Sequence, residues 1–374
     1  MTEQLTLDLP PSRTTTQISA RQQVDTITAL DLFAGTGWGV ACDRLGILEK
    51  GVEIMPEAVA TRAANGMDTV YCDVWDGLLR TEQIPWLVQF LASGGTLRGA
   101  YTLLIASPPC QTFSVAGSGG GRKALNEVLE AIHASAWKDP AELIAFGKRH
   151  DMRTALVLAP LSYIWRDRPR YVVLEQVPSV LPVWEAYAII MRSLGYSVKT
   201  AVLNSEQYGV PQTRKRAILV ANLEGKANLP EPTHSRYYPH NPAKQDAGVL
   251  GWVSMAEALG WDGPRMVDSS QSTVGVDAKS GRVLHYPKIL RSNYGTGGDP
   301  DARGERTIDQ PASCLTSKAG SMKWDGERRL SVQEGAILQT YPSNFTWMGR
   351  PFLQIGNAVP PLLGQRILEA VLSS

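Results

Sequence analysis

The chain has 374 residues, 43% of them hydrophobic, enough for one large core with room for a second, smaller domain. Lysine and arginine number 37 against 36 aspartates and glutamates, a net charge of +1. That balance excludes a small, uniformly basic nucleic-acid-binding module, so any contact with a polyanion has to come from local basic patches. The four cysteines, Cys42, Cys72, Cys110 and Cys314, have no CxxC spacing and no accompanying histidine cluster. Neither a disulfide framework nor a metal site is expected, and a reducing, cytoplasmic setting fits. No apolar run is long enough to span a bilayer.

Residues 1–22 are rich in Thr, Gln and Ser and lack a basic head followed by an apolar stretch, so they read as a flexible leader and not as a signal peptide. Ile27–Phe33 then reads as a buried strand running into a glycine-rich turn. Lys50–Ile54 is a second strand, Glu57–Asn65 a helix, Val70–Val74 a third strand and Tyr101–Ala106 a fourth. Tyr171–Glu175 and Arg216–Ala221 follow as later strands. Strands alternating with helices predict an α/β fold with a parallel sheet covered on both faces. From Asn222 to Arg303 the chain turns to Pro, Gly, Ser and Asp with isolated aromatics, and only Ser254–Leu259 is periodic, which predicts a smaller, irregular domain. Helical signal returns at Ser331–Thr340 and Pro361–Leu372.

Four segments carry chemistry. In Asp31-Leu32-Phe33-Ala34-Gly35-Thr36-Gly37-Trp38-Gly39, a strand end meets closely spaced glycines, which lets backbone approach a ligand; the spacing is not the GxGxxG of a dinucleotide site. Glu53, at the next strand end, is placed to take ribose hydroxyls, and Asp73, after the third, to accept from an adenine amino group. With Asp31, these acids at successive strand ends suggest an adenosine site, although each alone would usually be a solvated loop carboxylate. In Ser107-Pro108-Pro109-Cys110, two prolines fix the backbone before a thiol that follows a strand end and precedes a glycine-rich run. A lone cysteine is usually a small buried hydrophobe, but this setting marks Cys110 as a nucleophile. Glu175 ends the apolar strand Tyr171-Val172-Val173-Leu174, where a partly buried carboxyl can hold or donate a proton near neutral pH. Gln212-Thr213-Arg214-Lys215-Arg216 offers forked guanidiniums for a pyrimidine oxygen, a phosphate or an acid partner.

The order of these segments resembles the DNA cytosine-5 methyltransferases, from about Ile27 to the end of the chain. Asp31–Gly39 resembles the family's first cofactor motif, Pro108-Pro109-Cys110-Gln111 its Pro-Cys motif, Glu175-Gln176-Val177 its Glu-Asn-Val motif and Gln212–Arg216 its Gln-x-Arg-x-Arg motif. Arg306-Thr307-Ile308-Asp309-Gln310-Pro311 and Gly356-Asn357-Ala358-Val359-Pro360-Pro361 are similar to its ninth and tenth motifs. There are two departures. Gln176 stands where the family has Asn, and a longer amide at that place could change the register of Cys110 if it pins the loop. Trp38 interrupts a pair of glycines, with Gly39 beside it to restore the turn.

The resemblance implies a class I S-adenosylmethionine-dependent methyltransferase, with a seven-stranded Rossmann-like sheet over 23–221, a target-recognition domain over 222–318 and a return to the catalytic domain over 319–374. Cys110 would add to C6 of a flipped-out cytosine. Glu175 would hold N3 and the exocyclic amine, and Arg216, with Arg214, would bind the ring oxygen or hold the loop. S-adenosylmethionine would lie among Asp31, Phe33, Ala34, Gly35, Gly37, Glu53, Ile54, Asp73, Val74, Pro109, Asn357, Ala358 and Val359. The loop Ser114–Lys123 would close over the base, and Ser114, Arg122, Lys123, Arg282, Lys288 and Arg291 would touch double-stranded DNA, with Asn293 a further base-reading candidate. A monomer in a bacterium or encoded by a phage, with a restriction endonuclease as a separate partner, completes the expectation. The alternatives are a tRNA cytosine-5 methyltransferase, a transferase using a modified S-adenosylmethionine, and a catalytically silent DNA-binding homologue.

Overall fold

The computed structural model describes residues 27–71, 73–79, 101–109, 120–261, 266–267, 273–276, 283–295 and 303–373. Cys110, Ser114 and Arg282 lie outside the described residues. No helix among the described residues is long and apolar enough to cross a membrane.

The strands of the large domain are β1 (Thr28–Leu32), β2 (Leu48–Val52), β3 (Asp68–Tyr71), β4 (Leu103–Ala106), β5 (Tyr171–Gln176), β6 (Ser197–Asn204) and β7 (Lys215–Asn222). They form one seven-stranded sheet in the order β3-β2-β1-β4-β5-β7-β6. Side chains alternate across it. Leu30, Leu32, Leu104, Val172, Leu174 and Leu219 pack against the helices of 120–193 on one face. Ala29, Leu103, Ile105, Val173, Ile218 and Val220 pack on the other with Trp38, Leu363 and Ile367, from the helices Gly37–Arg44 and Pro361–Leu372.

Three details differ from the sequence expectation. The sheet is not wholly parallel: β7 runs antiparallel to both β5 and β6. The consequence is functional, because the amino-terminal end of β7, where Arg216 sits, lies beside the carboxyl end of β5, where Glu175 sits; a parallel β7 would send Arg216 to the far edge. The strand β6 was not expected, since its mixed run Ser197-Val198-Lys199-Thr200-Ala201-Val202-Leu203-Asn204 is an edge strand with no clean alternation. The third strand ends at Tyr71 and not at Val74, because the Asp73 carboxylate accepts from the Trp75 N–H (3.0 Å) and turns the chain into the short helix Asp76–Leu79.

The loop expected over 114–123 is helical from Gly120, and Arg122 and Lys123 lie in the first turn of the helix Gly120–His133. Buried Ala124, Val128, Ala131 and Ile132 give that helix one apolar stripe to dock.

The remaining strands are short: β8 (Met266–Val267), β9 (Thr273–Val276), β10 (Val283–Tyr286), β11 (Ile289–Gly295), β12 (Arg303–Thr307), β13 (Lys323–Trp324) and β14 (Arg328–Arg329). They form a three-stranded sheet, β10-β9-β8, and a four-stranded one, β12-β11-β13-β14. The second sheet therefore continues past residue 318, where the family resemblance implied a boundary. It packs on its own core, with Leu290, Ile308, Leu315, Met322 and Trp324 against Ala336, Leu338, Tyr341 and Ile355. Ser254 and Ser331 start their helices with reciprocal capping boxes to Glu257 and Glu334.

Candidate active site

A cavity of about 270 Å³ opens at the carboxyl edge of β1, β2, β4 and β5. That is the edge where the chain leaves a strand for a loop and exposes backbone to a ligand. Phe33, Ala34, Gly35 and Gly37 line it from the turn after β1. Glu53, Ile54, Met55 and Ala58 line it from beyond β2, and Asp73 and Val74 from beyond β3.

The turn is built for close approach. Phe33 holds φ at +61° and Gly35 at +48°, the left-handed region that a side chain rarely occupies without support. A Cβ on Gly37 would stand 2.2 Å from the Val359 carbonyl oxygen, so this position admits no side chain. Glu53 fixes the turn: its carboxylate accepts from the Gly35 N–H (2.8 Å) and the Met55 N–H (2.7 Å). Thr36, between the two glycines, shares a 2.7 Å hydrogen bond with the Tyr341 hydroxyl.

Asp31 is not part of the lining. Its carboxyl is fully buried, and neither oxygen has a hydrogen-bond partner among the described residues. Burial foremost, then the nearby Glu49 charge, push it well above the ordinary carboxylate range, while Arg62 opposes them. Its place is the interior behind the turn, close to the buried Arg62–Glu49 ion pair (2.8 Å).

Ser107, Pro108 and Pro109 enter the cavity after β4, Glu175 and Gln176 at the end of β5, and Val177 just after it. Two side chains tie the first group down. The Trp38 indole N–H donates to the Ser107 hydroxyl (2.9 Å), and the Gln176 amide N–H donates to the Pro108 carbonyl. Glu175 is 5% exposed, and its carboxylate pairs with the Arg216 guanidinium at 2.7 Å. Arg214 and Arg216 both reach the cavity, but they do different things. Arg214 is buried and donates to the Leu315 (2.9 Å) and Gly356 (2.8 Å) carbonyls, bracing the second domain against the C-terminal wall. Burial and the charge of Arg216 lower its guanidinium from the ordinary value.

That C-terminal wall is Gly356, Asn357, Ala358 and Val359. Gln212 and Gln339 hold it from behind: the Gln212 amide donates to the Gln339 side-chain oxygen, and Gln339 donates to the Ile355 (3.0 Å) and Ala358 (2.8 Å) carbonyls. Gln354 also lines the cavity and was not singled out in the sequence. It is 4% exposed, its amide N–H donates to the Met348 carbonyl (2.7 Å), and its side-chain oxygen has no partner among the described residues. The available signal was its place one helical turn before Asn357. Leu156 lines the cavity from a helix with no recognisable motif.

The cation candidates of the second domain stand apart. Lys288 and Arg291 do not line the cavity. The Lys288 backbone N–H donates to Asp325, and exposed Arg291 pairs with Glu305 across β11 and β12 (2.6 Å).

One cavity thus joins carboxylate acceptors on a glycine turn, a pinned Pro-Pro loop and a buried carboxylate–guanidinium pair. The model of the C-5 cytosine-specific DNA methylases matches residues 146–373, more than half of the chain. The chain belongs to that family. This methylase is 28% identical over 366 residues to the type II methyltransferase M1.HphI of Haemophilus parahaemolyticus, covering 92% of the chain and 87% of the relative. It is 27% identical over 365 residues to the type II methyltransferase M.AplI of Arthrospira platensis, covering 92% and 85%. Its fold is similar to that of a prophage-encoded DNA modification methyltransferase of E. coli (TM-score 0.54, 17% identity, 93% of this chain and all of that one). The Dnmt2 methyltransferase of S. pombe is similar to the same degree (TM-score 0.54, 15% identity, 93% and 98%).

Proposed function

We propose that this methylase transfers a methyl group to C5 of a cytosine flipped out of double-stranded DNA, with Cys110 as the covalent nucleophile. The observation that carries the reading is the Glu175–Arg216 pair, set on the same cavity as the Pro108-Pro109 loop that leads into Cys110 and the Gly35–Gly37 turn.

S-adenosylmethionine fits the other half of the cavity. Glu53 and Asp73 are acceptors for hydroxyl and amino donors, Phe33, Ile54 and Val74 are apolar surface for a ring, and Asn357–Val359 form a further wall, with the Val359 carbonyl against Gly37. When bound, it supplies an electrophilic methyl. The chain's own residues prepare the base. The Cys110 thiolate forms a bond to C6, which turns C5 into an enamine carbon able to attack. Glu175 binds N3 and the exocyclic amine and holds the proton that neutralises the ring, while Arg216 orients that carboxyl. Loss of the C5 proton then restores the double bond and expels the thiolate. Extruding the base costs a few kcal/mol, which contacts from the second domain would offset. Arg122, Lys123, Lys288 and Arg291 remain the cations proposed for DNA. The separate second domain favours DNA over a small folded RNA. The type II relatives support a role beside a separate restriction endonuclease, and the methylase is proposed to act as a monomer.

The test is sequencing after bisulfite treatment of DNA from cells expressing the chain, together with capture on duplex DNA bearing 5-fluorocytosine at the site found. Wild type should methylate one sequence and form a denaturation-resistant complex, and Cys110→Ser should do neither while still binding S-adenosylmethionine. Methylation that survives Cys110→Ser would overturn the mechanism.

A further inference from the structure

Trp38 has no place in the chemistry just described, and as a departure from a pair of glycines it had only to be tolerated. The structure gives it a task. It is 2% exposed and lines the cavity directly after Gly37. The benzo edge of its indole lies against Gly364 in the C-terminal helix, where an added Cβ would come within 3.1 Å of the ring. With the ring wedged there, its N–H donates to the Ser107 hydroxyl at 2.9 Å. An indole can only donate, so Ser107 must accept and keeps its own proton for another partner. One rigid side chain thus connects the cofactor turn to the residue three positions before Cys110.

Resting on the reading of the chain as a DNA cytosine-5 methyltransferase, we propose that Trp38 is a positioning residue through which an occupied cofactor turn sets the Ser107–Pro109 loop for thiol addition. The turn's glycines and the Trp38 ring share one backbone segment, so a ligand that settles Gly35 and Gly37 also settles the indole and, through it, Ser107. A purely structural tryptophan would affect stability and every step alike. A positioning one affects thiol addition and its dependence on the cofactor site.

Thiol addition can be read without methyl transfer. When Cys110 adds to C6, C5 takes a proton from solvent; when a C5 proton is lost again, the thiolate leaves and the C5 hydrogen has exchanged. The experiment measures tritium release from unmethylated duplex DNA carrying C5-tritiated cytosine in the sequence that wild type methylates, with and without saturating S-adenosylhomocysteine, which has no transferable methyl. It compares wild type, Trp38→Phe, Ser107→Ala and the double variant. Ser107→Ala removes the same hydrogen bond with the least disturbance of packing, so it answers for Trp38→Phe should the larger change misfold. Wild type should exchange faster with S-adenosylhomocysteine bound. Each single variant should lose that stimulation and slow exchange by about tenfold to a hundredfold, the scale of a small misplacement of a reacting group. S-adenosylhomocysteine affinity by calorimetry should move less than about threefold, and the double variant should be no slower than the worse single one. Effects that multiply in the double variant, or stimulation that survives in Ser107→Ala, would overturn the coupling. No exchange by wild type on a sequence it methylates would instead overturn the covalent reading itself.

Discussion

The side-chain amide of Gln176 holds the Pro108 carbonyl with its nitrogen and accepts from the Val177 N–H with its oxygen. The extra methylene relative to asparagine is absorbed by this fold-back, so the amide still reaches the loop that leads into Cys110. Gln176→Leu would leave a buried carbonyl and a backbone N–H unpaired at that place, costing roughly 1–3 kcal/mol. Single-turnover methyl transfer should fall by about tenfold to a hundredfold in Gln176→Leu, with cofactor affinity near wild type. Gln176→Asn should fall less, because it keeps both hydrogen-bonding groups. Equal losses for the two variants would mean that the amide does not hold the loop.

The Glu175–Arg216 pair gives a second prediction, of stability as well as activity. Both side chains are nearly buried, so removing one partner strands the other's charge. Glu175→Gln or Arg216→Met alone should each lower unfolding free energy by about 3–5 kcal/mol, the range for a buried pair broken on one side. The double variant should recover part of that loss in denaturant titrations while remaining inactive. A double variant as unstable as the sum of the two would show that the partners do not stabilise each other.

Much of this site was legible before any coordinates. Phe33, Gly35, Gly37, Glu53 and Asp73 lie in segments named from strand ends and glycine spacing, Asn357 was named only through the family resemblance of its motif, and all of them line one cavity. Local patterning reveals them because ligands of such sheets collect at the carboxyl edge, and strand ends can be read locally. Asp31 was misplaced because a strand-end acid looks the same in sequence whether it faces ligand or interior. The antiparallel direction of β7 was hidden because direction is set by pairing over long separations, not by the strand's own residues. Trp38 and Gln176 could be seen only as departures, since their partners, Ser107 and Pro108, lie 69 and 68 residues away.

The turn that follows β6 supplies a pH dependence. Glu206 is 2% exposed there, and one of its carboxyl oxygens has no partner among the described residues. Burial pushes its carboxyl up from 4.5 to about 7. The folded protein therefore holds that proton more tightly than the unfolded chain does. Stability is unaffected below about pH 4, declines as pH rises from there to about 7, and levels off above. Glu206→Gln cannot ionise and should remove this slope: no gain in melting temperature at pH 4, a growing gain up to pH 7 and a constant gain beyond. The neighbouring Ser205 hydroxyl donates to the Gln212 carbonyl, so the turn also supports the segment that carries Arg214 and Arg216. A melting-temperature difference that does not change between pH 4 and pH 8 would exclude Glu206 as the titrating group.

Gln354 provides the last prediction, at the cofactor wall. The Met348 carbonyl fixes which end of its amide is the nitrogen, so the unpaired atom beside the cavity is the oxygen, an acceptor. A buried acceptor without a partner destabilises the ligand-free protein, and a donor on a bound ligand would remove that penalty. S-adenosylmethionine brings three kinds of donor, its adenine amino group, its ribose hydroxyls and its ammonium group. Gln354→Leu should therefore weaken S-adenosylmethionine binding by about five- to tenfold in calorimetry, the worth of one hydrogen bond of roughly 1 kcal/mol or slightly more. Glu53 already accepts two backbone N–H groups, so its variants would confound turn geometry with ligand contact. Gln354, on a helix outside the turn, does not have that problem. Repeating the titration with 5′-methylthioadenosine, which keeps the adenosine and lacks the ammonium, separates the two ends of the ligand: a loss shared by both ligands assigns the oxygen to the adenosine donors, and a loss confined to S-adenosylmethionine assigns it to the ammonium. Unchanged affinity for both would mean that the oxygen faces solvent within the cavity and not the cofactor.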